Sequence, residues 1–169
     1  MIEFLVLFPA LVFPLLYFSM KRSLNRVVLV TYMAGQAVCA VLLAKGMIVK
    51  LSSLPQLAPF FSADPLSRLF FYLLTILFIG AGVAGIRFLA RHRDDKWDTY
   101  YTAFTMLFVG SMNGVIFSAH LGLLWVFIEA TTLSSAVLIY YDRTRHSLEA
   151  TWKYIFICSI GISLAFVGI

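Results

Sequence analysis

Apolar residues fill this chain in long runs separated by short polar breaks. A helix needs about twenty apolar residues to cross a bilayer. Read with a window of about nineteen residues, the pattern predicts six spans: Ile2–Met20, Val27–Lys45, Leu66–Ala90, Thr99–Ala119, Leu121–Tyr141 and Leu148–Ile169. The connection from Gly46 to Pro65 carries Pro55, Pro59 and Pro65 and is too broken for a seventh. The fold expected is all-α, a polytopic transmembrane helix bundle. It divides into residues 1–65, with two helices and the long connection, and residues 66–169, where the main transmembrane domain begins.

Local signals refine the spans. The first contains Pro9 and Pro14, which a membrane helix tolerates with a kink. It has no basic segment before it and no small-residue cleavage site after it, so it reads as a retained helix and not a signal peptide. Gly35 and Gln36 in the second span suit helix packing. Asp64 before Pro65 reads as the N-cap of the third span, with proline at its first position. GAGVAG, Gly80 to Gly85, has the spacing of a dinucleotide loop, but that loop needs a strand before it and a helix after it. Inside an apolar helix it reads as a small-residue packing face. RHRDDKWD, Arg91 to Asp98, reads as a solvated loop. Asn113 reads as a helix–helix hydrogen-bond partner. The turn Ala119–His120–Leu121 is so short that the spans it joins must be antiparallel neighbours.

Composition narrows the function classes. The chain is 62% hydrophobic and 12% charged, against about a quarter charged in a soluble domain. Its net charge of +5 is no nucleic-acid footprint, because the cations sit in short loops. Nine of the thirteen Lys and Arg residues fall in three alternate loops: Lys21, Arg22 and Arg26; Arg87, Arg91, Arg93 and Lys96; Arg143 and Arg145. The positive-inside rule puts those loops in the cytoplasm and the N-terminus outside. Cys39 and Cys158 lie inside apolar runs as packing residues. No metal-ligand spacing, nucleophile–base pair, haem or iron–sulfur motif is present, so no cofactor is expected.

Glu129 carries the candidate chemistry. It is the only formally charged residue between Thr99 and Tyr141. It lies eight residues into its span, about 12 Å deep. A charge at that depth costs roughly 2.5 kcal/mol or more on insertion scales, so it tends to be kept for a use. Its helical neighbours Gly122, Thr132 and Ala136 are small, which lets another helix or water approach. Proton or ion handling is the reading preferred, against a structural glutamate bonded to a hydroxyl. Lys153, about five residues into the last span, is a candidate relay. It can equally snorkel to the interface and pair with Glu149 four residues earlier. Antiparallel geometry puts Glu129 about 18 Å and Lys153 about 7.5 Å from the cytoplasmic end, too far apart for a direct ion pair. His120 at the opposite turn is a candidate for admitting protons, although a solvated turn histidine fits it better.

The segments WVFIEATTLSSAVLIYY and RTRHSLEATWKYIFICSIGISLAF resemble the antiporter-like, proton-translocating membrane proteins of respiratory complex I, Mrp-type antiporters and group 4 membrane-bound hydrogenases. Within these, IEATTL followed by LEATWKY is most similar to the F-type branch found in hydrogenase-4 and formate hydrogenlyase-type complexes. SADPLS resembles the D-x-L-S opening of the family. The resemblance implies that Glu129 is the glutamate of the fifth helix, set in a proton path, and that Lys153 is a relay or charge-balancing residue. It implies a non-redox subunit in the prokaryotic plasma (inner) membrane. The partners implied are lipid, other membrane subunits of a hydrogenase or complex-I-like assembly, and no nucleic acid.

Members of that family have about fourteen helices in two inverted repeats. This chain covers the leading helices and half of the first repeat, and lacks the broken seventh helix and its lysine. It ends at Ile169 within apolar sequence. The expectation is therefore a truncated antiporter-like domain: a fragment, or a split subunit whose later helices come from another chain. The competing functions are a structural membrane subunit without transport and an Mrp-type cation/proton antiporter subunit.

Overall fold

The computed structural model describes residues 22–44, 60–62, 64–91 and 95–168. The first expected span, Lys45 and most of the Gly46–Pro65 connection lie outside them. Five helices follow in order: α1 Arg22–Ala44, α2 Pro65–Arg91, α3 Asp95–Phe117, α4 Leu121–Ile139 and α5 Arg145–Val167. All five are long and apolar enough to cross a membrane. They correspond to the second to sixth expected spans. A 3-10 turn, Tyr140–Asp142, separates α4 from α5. Among the described residues the only extended pairing is an isolated antiparallel bridge between Phe61 and Ser118.

Helix α3 is the centre of the bundle, packing against α1, α2 and α4. Two apolar clusters show how the first three helices run. Leu29 and Tyr32 of α1 meet Ala103, Met106 and Val109 of α3 and Phe78 of α2. Further along, Cys39 of α1 meets Phe117 of α3 and Phe71 of α2. Thus α1 and α3 are parallel and α2 is antiparallel to both. Between the clusters Gln36 and Asn113, both wholly buried, exchange two hydrogen bonds. Gln36 Nε2 donates to Asn113 Oδ1 and Asn113 Nδ2 donates to Gln36 Oε1, each at 3.1 Å. A buried amide unpaired in an apolar medium is costly, so each supplies what the other lacks.

Helices α1, α2, α3 and α5 start earlier than hydropathy suggests. Asp64 takes the N-cap position of α2, where its carbonyl accepts the Arg68 N–H at 3.1 Å. Helix α3 begins at Asp95, so Trp97 and Asp98 do not belong to the solvated loop expected at Arg91–Asp98. Asp98 is 1% exposed and its Oδ1 accepts the Tyr141 hydroxyl at 3.1 Å. The expectation failed because a polar run was read by charge alone. Asp98 lies four residues before Thr102 and fifteen before Asn113, on the buried face of α3. Helix α5 begins at Arg145, where the Thr144 hydroxyl caps it by accepting the Ser147 N–H at 3.0 Å.

The glycines of α2 are not one uniform packing face. Gly80 faces open space, Gly82 lies under the thioether of Met33 on α1, and Gly85 meets the Tyr101 hydroxyl on α3. The approach least able to yield is at Gly114 on α3, where a Cβ would lie 2.5 Å from the Phe127 ring of α4; at Gly82 the neighbour is the far end of a flexible methionine.

Candidate functional site: the glutamate between two antiparallel helices

Glu129 stands on α4, which the Ala119–His120–Leu121 turn folds back onto α3. That turn is tied down. Ser62 N–H donates to Phe117 O at 2.9 Å and Ala119 N–H to Phe60 O at 2.8 Å. His120 is the N-cap of α4, its Nδ1 accepting the Gly122 N–H at 3.2 Å, and its ring meets Phe60 edge-on. The structure thus gives His120 a capping task at the surface, on the turn that orients α4.

Helix α5 covers one side of α4, and three side-chain contacts set their antiparallel register. Trp125 packs on Phe166 with ring centroids 5.3 Å apart. Glu129 Oε1 accepts the Ser159 hydroxyl at 2.6 Å. The Ser135 and Tyr154 hydroxyls share a hydrogen bond of 2.8 Å. Residues later in α4 pair with residues earlier in α5, as antiparallel helices require. Glu129 therefore sits in the middle of the contact. Its Oε2 is shut away from solvent and has no hydrogen-bond partner among the described residues. The nearest hydroxyl on its own helix face, Thr132, donates instead to the Glu129 backbone carbonyl at 2.8 Å.

Lys153 is not brought to Glu129. It pairs with Glu149 one turn earlier on an exposed face of α5. It lies six residues before Ser159, about 9 Å along the helix. Both features agree with the axial offset and the i, i+4 pairing expected from the sequence.

The end bearing the loop cations is closed by aromatic rings. Phe88, Tyr101 and Tyr141 pack mutually, and Trp97 packs on Tyr100 and Tyr140. Arg143 adopts a left-handed backbone at φ 50 and lays its guanidinium 3.7 Å from the Trp97 ring centroid. Beside this cluster, a groove of about 480 Å³ runs between α3, α4 and α5, lined by residues such as Phe104, Leu107, Leu133, Val137, Trp152 and Ile155. Ser134 and Thr151 also line it, but their hydroxyls donate to backbone carbonyls of their own helices. The groove is consequently apolar throughout. Among the described residues no group of three His, Cys, Asp or Glu side chains is placed to hold a metal ion.

Sequence reasoning missed Ser159 and Asp98. Ser159 has no signal of its own in an apolar run. Asp98 had one, its helical register with Asn113. No family model matches the chain. The chain is 32% identical over 114 residues to the hydrogenase-4 component F homolog of Methylacidiphilum infernorum (isolate V4), a match covering 64% of this chain. The chain spans about a quarter of the length of that curated relative, 24% of it. This similarity and the five membrane-length helices agree with the resemblance to antiporter-like membrane subunits read from the sequence.

Proposed function

We propose that the chain forms leading helices of a proton-translocating, antiporter-like subunit in a membrane-bound hydrogenase or complex-I-like oxidoreductase, with Glu129 as its proton-handling residue. The observation that carries the reading is the environment of that carboxylate. It lies at mid-span, with one oxygen bonded to α5 and the other enclosed and unpartnered among the described residues. A carboxylate in apolar surroundings binds and releases a proton with a large change in local charge balance. That change is something a redox partner can bias. The name of the related protein supports a hydrogenase setting. The remaining helices come from the same polypeptide or a second one. The proposed location is the prokaryotic inner membrane, with the N-terminus outside and Arg143 and Arg145 facing the cytoplasm.

Glu129→Gln keeps the shape and removes the titratable group. In inverted membrane vesicles holding the assembled complex, the expected result is a loss of redox-linked proton uptake of at least about tenfold. Electron transfer to an artificial acceptor should continue. Undiminished proton uptake in Glu129→Gln would overturn the reading and leave a structural membrane subunit.

A further inference from the structure

The hydroxyls of helical serines and threonines in this chain mostly turn back on their own helix. Thr75, Thr102, Ser111, Ser134 and Thr151 each donate to the carbonyl four residues earlier, at 2.7 to 2.9 Å. This is the usual way to satisfy a hydroxyl where water is absent. Ser159 instead donates across the α4–α5 contact to Glu129 Oε1. That bond, 2.6 Å long, ties the carboxyl group to the neighbouring helix. It fastens one oxygen of Glu129 and leaves the other, Oε2, enclosed and without a partner among the described residues.

The geometry points to Ser159 as the positioning residue of Glu129, holding Oε1 so that Oε2 is the oxygen that exchanges the proton. This rests on Glu129 being the proton-handling residue. In the step, a hydronium ion breaks one of its O–H bonds and departs as water, and the released proton forms an O–H bond on Oε2. Oε1 becomes the carbonyl oxygen of the neutral acid and keeps the Ser159 hydrogen bond. Ser159 neither gains nor loses a proton. Glu129 is the only formally charged residue of α4. The titratable groups of α5 on that side are Cys158, beside Ser159, and Tyr154, bonded to Ser135. Beyond them come the mutually paired Glu149 and Lys153, then His146 and Arg145. On α3 the titratable side chains, Asp98, Tyr100 and Tyr101 among them, lie in the first two turns, at the end away from His120.

The test is infrared difference spectroscopy of the Glu129 carboxylate in the assembled complex, with redox-linked proton uptake measured on the same vesicles. The Glu129 band is the one that Glu129→Gln removes. Ser159→Ala should shift that band and lower proton uptake by about tenfold, the worth of one hydrogen bond to a charged group. Ser159→Thr keeps the hydroxyl and should restore both. A band left in place by Ser159→Ala overturns the inference. So does a shifted band with undiminished uptake, and so does a loss of uptake that Ser159→Thr does not repair. If Glu129→Gln removes the band yet translocates normally, it is the proton-handling role of Glu129 that falls.

Discussion

The two halves of this bundle treat buried polar groups in opposite ways. In the α1–α2–α3 half, Gln36 and Asn113 form a closed pair, each amide donating to and accepting from the other. Such a pair fixes how α1 lies on α3. In the α4–α5 half, Glu129 is half closed, with Oε1 bonded to Ser159 and Oε2 held in reserve. The packing differs in the same sense. Half of the membrane-length part of α3 is buried, whereas no residue of α5 is, and Ile157 and Leu164 are among its exposed apolar side chains. A closed amide pair inside a well-packed trio is scaffolding. An incompletely bonded carboxylate between two packed helices is where a change of protonation can be felt.

The largest expected effect comes from separating the halves. Gly114 is the seat of the Phe127 ring, two residues from Glu129 on α4. Gly114→Leu puts a branched side chain where a Cβ alone would lie 2.5 Å from that ring. Overpacking of this kind costs about 3 kcal/mol when the neighbour is an aromatic ring with nowhere to go. The midpoint of thermal unfolding in detergent should fall by the largest margin of any change here. Gly80→Ala, facing open space, is the control that should leave it in place.

A middle-sized effect tests whether the amide pair is closed. Asn113→Leu strands the Gln36 amide among apolar side chains and should destabilise the bundle by about 1–2 kcal/mol, the range for interhelical hydrogen bonds in membranes. Adding Gln36→Leu removes the stranded partner and should recover part of that loss, read as a double-mutant cycle on the unfolding midpoint. Proton uptake should track the stability of the complex in all three variants. If the double variant lost uptake while remaining stable, the pair would belong to a proton path and the contrast between the halves would fail.

Both halves were legible in the chain because hydropathy and isolated polar residues are strong signals in a membrane. Six spans were expected, and the five within the described residues are present. Gln36 and Asn113 stood out because an amide in an apolar run needs a partner. Glu129 stood out for the same reason with more force. What hydropathy does not carry is where a helix continues into polar sequence. Helix α3 starts at Asp95 and not Thr99, and α5 at Arg145 and not Leu148, because backbone hydrogen bonding and a Thr144 cap extend past the apolar run. Nor does it carry which hydroxyl crosses to a neighbour. Ser159 is one serine among several, and only the register of α4 on α5 brings it to Glu129. The GAGVAG run likewise did not reveal that Gly82 and Gly85 meet neighbours while Gly80 does not.

The smallest expected effect concerns Lys153, and it sharpens the comparison most finely because this lysine shares a helix with Ser159. Lys153 and Glu149 form an ion pair that is open to its surroundings, where Glu129 Oε2 is enclosed. Exposed i, i+4 pairs contribute little, because water and neighbouring ions compete for each partner. The ammonium is also about 9 Å along α5 from Ser159. Lys153→Gln should therefore leave the Glu129 carboxylate band unshifted and reduce proton uptake less than Ser159→Ala does. Glu149→Gln should have the same small effect, since each change cuts the same pair. A loss of uptake in Lys153→Gln that Glu149→Gln does not reproduce would mark the lysine as a relay acting apart from its partner. In that case the proton path would extend from the enclosed carboxylate to the end bearing the loop cations, and α5 would carry chemistry along its length and not only at Ser159.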